Sequence, residues 1–317
     1  MPSSPLSSPT PDSAFRGVAL PACVALLAFA VIVTALYQLQ RADSAVRLTR
    51  SMLGPTPVTV YRDDNLPAAA KKPVVVIAHG FAGSQQLMAS FAIALARSGY
   101  LAVSFDYFGH GRNLEPLRGN VTEVDGATRY LLNQTQAVVE FALALPDASG
   151  ELALLGHSMA SDIVVRYAQQ DPRVDATIAV SMFSPEVTAS EPHKLLVIVG
   201  NLEGFLKLEA LRVLGMVTDN PQPGVTVVDG ESGDARRVAF AEGVEHVGVL
   251  FSETSLRESV AWLDRVYGRK NERAPEHRGP WIALLLIGLC TLAWPLSRCL
   301  PVVSSPPRGA ALGWHCL

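Results

Sequence analysis

A chain of 317 residues can hold one large α/β domain or two small ones. Its formal net charge of −3, with 17% charged residues, gives no nucleic-acid signature, which would need a clustered basic face. Hydrophobic residues make up 49% of the chain, high for a soluble protein, and the excess is concentrated in two stretches.

The first stretch, residues 17–37, carries no charge. It is long enough to cross the ~30 Å hydrocarbon core of a bilayer as a helix. Only Arg16 precedes it and Gln38-Leu39-Gln40-Arg41 follows. A cleaved signal peptide has a shorter apolar core, a basic start and a small-x-small cleavage site, so we read 17–37 as a transmembrane anchor behind an N-terminal tail, 1–16. A buried core helix would show a polar face, and this stretch has none. Residues 38–54 read as a linker, and Val58–Tyr61 as an early edge strand.

From residue 55 to 268 strand and helix signals alternate. Residues 73–78 are a continuous β-branched run, as in a strand buried on both faces. Gln85–Ser98 follows as helix, with Leu87, Phe91 and Leu95 four apart and Gly99 as a stop. Leu101–Phe105 is a second strand, and a polar, glycine-bearing excursion, Gly109–Gly126, leads to a helix at 127–145. Then come strand Leu152–Leu155, helix Ala160–Gln170, strands Ala176–Ser181 and Leu195–Val199, and helix Phe205–Met216. Strands Val225–Val228 and Val238–Phe240 and an amphipathic helix Val249–Tyr267 close the domain. Such alternation builds a mostly parallel sheet with helices on both faces.

A basic linker, 269–280, leads to the second apolar stretch, Trp281–Leu296. At 16 residues it is short of the ~20 usual for a span, but Trp281 and Trp294 sit near its ends as interfacial aromatics would. We read 281–300 as a second transmembrane or membrane-embedded segment, and 301–317, rich in Pro, Ser and Gly, as unstructured. The cysteines, Cys23, Cys290, Cys299 and Cys316, all lie outside the central domain, which therefore has no disulfide or thiolate metal site. Arg41, Arg47, Arg50, Arg265, Arg269, Lys270, Arg273 and Arg278 flank the domain side of the two stretches, against Arg16, Arg298 and Arg308 opposite. The positive-inside rule then puts the domain on the cytoplasmic face of the membrane.

Ligands of open parallel sheets bind beyond the carboxyl ends of the strands. Those positions are rich in chemistry: His79-Gly80-Phe81-Ala82-Gly83, Asp106 to Asn113, Ser158, Gly200-Asn201-Leu202-Glu203-Gly204 and Glu245-His246-Val247. The pentapeptide Gly156-His157-Ser158-Met159-Ala160 follows a buried strand and opens a helix. It approximates G-x-S-x-G, whose small residues let a strained turn expose a serine nucleophile; alanine stands at the last position.

Taken together, His79-Gly80-Phe81, the Asp106-x-x-Gly109-His110-Gly111 turn and the Ser158 pentapeptide resemble the α/β-hydrolase superfamily, most closely its branch of serine-aminopeptidase-like and monoacylglycerol-lipase-like hydrolases. The resemblance covers about residues 55–268. It implies a serine–acid–histidine order, with Ser158 the nucleophile and His246, just ahead of the final helix, the base. His79, His110 and His157 precede or adjoin the serine, His193 precedes the acid's strand, and His277 and His315 lie too late. Glu203 stands where the family carries its acid, with Glu186 and then Asp219 as alternatives. The oxyanion hole would use the backbone N–H groups of Phe81 and Met159. Asp106 and its glycines shape a turn.

The resemblance implies an ester, or less readily amide, hydrolase working through an acyl-serine on a small-molecule or lipid-like acyl substrate, with no metal and no organic cofactor. An acyltransferase on the same scaffold, or a membrane-tethered binding domain, are the alternatives. Only residues 182–194 separate two strands between which the family often inserts a helical cap, too few to hold one. The site would then be covered by 109–126, by 205–216 or by the membrane surface.

Overall fold

A computed structural model describes residues 11–67, 70–120, 124–271 and 275–301. The expectations for residues 1–10, for the tail beyond 301 and for Arg273 lie outside the described residues. Two compact units result, one holding the terminal helices (residues 1–39 and 280–317) and one spanning Gln40–Gly279.

The larger unit is an α/β-hydrolase fold built on one nine-stranded sheet. Its strands are β1 (Val46–Leu53), β2 (Thr56–Asp63), β3 (Lys72–Ala78), β4 (Leu101–Phe105), β5 (Ala148–His157), β6 (Val174–Val180), β7 (Lys194–Gly200), β8 (Thr226–Val228) and β9 (Ala235–Ala241). They lie in the order β1-β2-β4-β3-β5-β6-β7-β9-β8. β4, β3, β5, β6, β7 and β9 run parallel, while β1, β2 and β8 pair antiparallel at the two sides.

The helices are α1 (Pro11–Asp43), α2 (Ala89–Arg97), α3 (Arg129–Leu143), α4 (Met159–Gln170), α5 (Gly204–Gly215), α6 (Glu253–Val266) and α7 (Gly279–Ser297). Period-two alternation in β3 divides the core: Val75 and Ile77 face α2 and α6, and Val74 and Val76 face α3 and α4. All four are completely buried. At ~1.5–3 kcal/mol for each buried aliphatic side chain, this one strand contributes roughly 6–12 kcal/mol of apolar burial before entropy is set against it.

Three elements depart from the sequence reading. The linker assigned to 38–54 contains β1, an edge strand with a mostly solvent-facing, charged sequence. Arg47 and Arg50 break its alternation, yet Val46 and Leu48 still pack on the core. As a result β2 is an interior strand, between β1 and β4. The helix expected from Gln85 starts instead at Ala89, because Asp106 captures the Gln85 backbone N–H (2.7 Å) and its side-chain amide (2.9 Å). Likewise the last helix begins at Glu253, after a separate 3-10 turn over Gly248–Phe251. No helix lies between β6 and β7 among the described residues.

In the smaller unit, α1 and α7 are two helices long and apolar enough to cross a membrane, over Ala19–Asp43 and Gly279–Ser297. Only 11% of each apolar window is buried, unlike the core helix of a soluble protein. Gly288 of α7 meets Ala28 and Ile32 of α1, where a Cβ would come 2.7 Å from Ile32 Cγ1. Small residues at such a contact let two apolar helices approach closely without a solvent-driven force between them.

Candidate active site

Parallel strands carry their C-terminal ends to one edge of the sheet, and five of the loops there converge on Ser158. The backbone turns sharply between β5 and α4, leaving Ser158 with φ 53° and ψ −119°. For a residue with a Cβ this left-handed conformation costs on the order of 1–3 kcal/mol. It is held by the Ser158 N–H donating to the Val180 carbonyl (2.9 Å) and by Ser161, whose N–H (2.8 Å) and hydroxyl (2.5 Å) both donate to the Ser158 carbonyl. A Cβ on Gly156 would overlap the Ala160 carbonyl, so the turn requires glycine there and tolerates buried Ala160 opposite.

His246, in the loop after β9, lies with Nε2 2.9 Å from Ser158 Oγ and Nδ1 2.6 Å from Glu203 Oε1. A carboxylate can only accept, so in the neutral ring Nδ1 carries the proton and Nε2 keeps its lone pair for the serine hydroxyl. Glu203, at the start of α5, has a side chain only 5% exposed. Its second oxygen accepts from the Gly200 N–H (2.6 Å) and the Ser181 hydroxyl (2.8 Å). Three donors therefore fix one carboxylate. Of the alternative acids, Glu186 pairs with Arg166 at 3.1 Å, and Asp219 is exposed beyond α5.

Phe81 and Met159 flank the serine from the two loops expected to supply backbone donors. Neither backbone N–H has a protein acceptor among the described residues. Met159 opens α4, so its N–H points with the positive end of the helix dipole. Gly80 permits the approach of the other loop: a Cβ there would lie 2.9 Å from Ser158 Cβ and 3.1 Å from the His157 carbonyl.

Several further residues support the site, Asp106 in the turn-shaping role expected of it and Ser181 unforeseen from sequence. His157 donates from Nε2 to the His246 carbonyl (2.9 Å), tying the histidine loop to the serine turn. Its burial pushes its pKa down to about 4, against the raising effect of that hydrogen bond. His79 is also lowered to about 4 by burial; its Nδ1 donates to the Gly80 carbonyl (2.8 Å) and its Nε2 accepts from the Tyr107 N–H (3.0 Å). Both rings are thus neutral struts at pH 7. Ser181, with φ 51°, could have been flagged only by its place directly after a buried strand. Asp106 accepts from Gln85 and from the Arg112 N–H (3.0 Å), which makes it the hub of its turn, away from His246.

The sequence profile of the family described as serine aminopeptidase, S33, matches residues 69–238, more than half of the chain. The chain belongs to this S33 hydrolase family. The matched segment contains Ser158 and Glu203 and stops short of His246. Solved structures agree on the fold at low identity. A "predicted CIB-like hydrolase" of Thermoplasma acidophilum superposes with a TM-score of 0.53 at 16% identity, over 70% of this chain and 99% of its own. TT1662 of Thermus thermophilus gives 0.50 at 17% identity, over 71% and 99%. Est1E of Butyrivibrio proteoclasticus, solved with ferulic acid bound, gives 0.50 at 15%, over 70% and 98%. No curated protein matches the chain. As an S33 hydrolase it is an enzyme of the serine hydrolase type with a small-molecule substrate.

Proposed function

We propose that this S33 hydrolase cleaves esters through an acyl-serine formed on Ser158. The observation that carries the reading is the unbroken relay from Ser158 Oγ to His246 (2.9 Å) to Glu203 (2.6 Å), beside two unpaired backbone donors. Ser158 Oγ would attack the ester carbonyl carbon while its proton passes to His246 Nε2. The oxygen gains the negative charge and is received by the Phe81 and Met159 N–H groups. As the carbon–oxygen bond to the leaving alcohol breaks, His246 returns the proton to that alcohol. Water, deprotonated by the same ring, then releases the acid and restores the serine. Glu203 holds the ring's orientation and stabilises the imidazolium; Ser181 and Gly200 hold Glu203 in place.

A lipid-like acyl substrate suits the surroundings. Phe81, Phe183, Leu202, Phe205 and Val247 are all exposed, and each lies within two residues of a residue of the site. The Phe183 and Phe205 rings face each other at 5.7 Å. With no cap between β6 and β7, such apolar side chains are left at the mouth. The exposed apolar surfaces of α1 and α7 support membrane anchoring, and the arginine-rich flanks on the domain side favour a cytoplasmic domain.

Labelling with a fluorophosphonate probe tests the mechanism. The wild-type protein should be labelled, and Ser158→Ala and His246→Ala should not be. Folded wild-type protein that resists the probe would instead make the domain a binding module. Product analysis with added alcohol acceptors separates hydrolysis from acyl transfer.

A further inference from the structure

A cavity lies at the end of the sheet opposite Ser158, at the N-terminal ends of β7 and β9. It has a volume of about 350 Å³, with apolar walls from Met216, Val217, Val227 and Val228, and its polar lining includes His193, Asp229 and Asp234 as well as Arg236. From Arg236 to Ala241, β9 advances roughly 17 Å, which separates this cavity from the loops around Ser158.

Arg236 is only 3% exposed. Its Nη1 donates to the carbonyls of Thr188 (2.8 Å) and Val213 (3.3 Å), while Nε has no partner. Among the described residues no carboxylate forms an ion pair with this guanidinium. The two acids at the cavity are engaged elsewhere: Asp234 lies 3.0 Å from His193 Nδ1, and Asp229 accepts the Glu231 N–H at 2.9 Å. Burial lowers the Arg236 pKa to about 10, with Asp234 opposing, so the group is still charged at pH 7. A buried cation with no carboxylate in ion-pair contact is costly unless something else supplies a close anion.

We propose that this cavity is a second ligand site, for a small organic monocarboxylate whose head pairs with Arg236 and whose apolar body lies against Met216, Val217, Val227 and Val228. Asp229 and Asp234 repel a dianion such as phosphate about twice as strongly as a single carboxylate, so the singly charged head is the better match to Arg236. The apolar walls select a carboxylate with a hydrophobic body over acetate.

The probes are benzoate and its neutral isostere benzamide, titrated calorimetrically into the detergent-solubilised full chain at fixed ionic strength, with protein-free micelles subtracted. Benzoate should bind saturably, and benzamide should bind about tenfold more weakly or worse. Arg236→Met should weaken benzoate by a similar factor. Val228→Glu, which puts a carboxylate at the half-exposed mouth and leaves the arginine in place, should do the same. Benzoate held at the Ser158 site would survive both substitutions. The proposal is overturned if wild-type protein shows no saturable benzoate binding, or if benzamide binds equally well. Unchanged binding in folded Arg236→Met, or in Val228→Glu should the first variant not fold, also overturns it.

Discussion

Replacing Glu203 by glutamine exchanges one oxygen for an NH₂ group at nearly constant volume, in a site that leaves the amide two orientations. If its oxygen stays with the Gly200 N–H (2.6 Å) and the Ser181 hydroxyl (2.8 Å), its NH₂ faces His246 Nδ1 across the present 2.6 Å contact. The ring must then accept at Nδ1 and carry its proton on Nε2, where it cannot take the proton of Ser158. If the amide flips, its NH₂ meets the Gly200 N–H at hydrogen-bond distance, donor against donor, which costs about 1–3 kcal/mol for a buried group. Both orientations penalise the productive tautomer, and the compensating charge for the imidazolium is gone. We expect kcat to fall about 10³- to 10⁴-fold, or about 4–5.5 kcal/mol of transition-state stabilisation, with KM little changed. Steady-state hydrolysis of a p-nitrophenyl ester series by purified Glu203→Gln measures this. Glu186→Gln is the control, because Glu186 is bound to Arg166 and should cost less than about threefold. A Glu203→Gln enzyme within tenfold of wild type, or a Glu186→Gln enzyme equally impaired, would refute the assignment of the acid.

Three further outcomes follow from the same geometry. Gly80→Ala places a methyl 2.9 Å from Ser158 Cβ, so activity should drop about 100-fold while circular dichroism stays native, since the collision is with the site rather than the core. His79 and His157, both near pKa 4 when folded, bind protons more readily unfolded, at about 6.5. Their contribution is complete above pH 6.5 and lost as pH falls towards 4. Each should cost about 2 kcal/mol between pH 7 and pH 5, read as a falling urea midpoint that His157→Gln makes shallower. A midpoint flat over that range would contradict the neutral buried rings. Finally, full-length protein should stay with membranes through alkaline carbonate extraction, and release into the supernatant would sink the reading of α1 and α7 as anchors.

Much of the scaffold was legible because its signals are local. Continuous β-branched runs such as Val74–Ile77, helix stops such as Gly99 and the small-residue turn around Ser158 each reflect backbone or burial constraints acting within a few residues. The hidden parts depend on neighbours. β1 is polar on one side because it is an edge, and α2 begins late because Asp106, many residues away, claims Gln85. Arg236 and Arg237 disguise the start of β9 for a similar reason: Arg237 reaches Glu258 on α6 at 2.7 Å.

The sequence by itself determined the alternation of strand and helix, the two apolar segments and the strand-end positions of Ser158, Glu203 and His246. The family resemblance put Glu203 ahead of Glu186 and Asp219, but nothing local in the sequence separates the three, because carboxylates in loops look alike until something binds them. In the folded chain their surroundings differ. Glu203 alone is enclosed by donors from Gly200, Ser181 and His246, whereas Glu186 has gone to Arg166 and Asp219 to solvent. Hydrogen bonds between residues 22 to 88 positions apart leave no trace in local pattern, and they are what make these side chains one site.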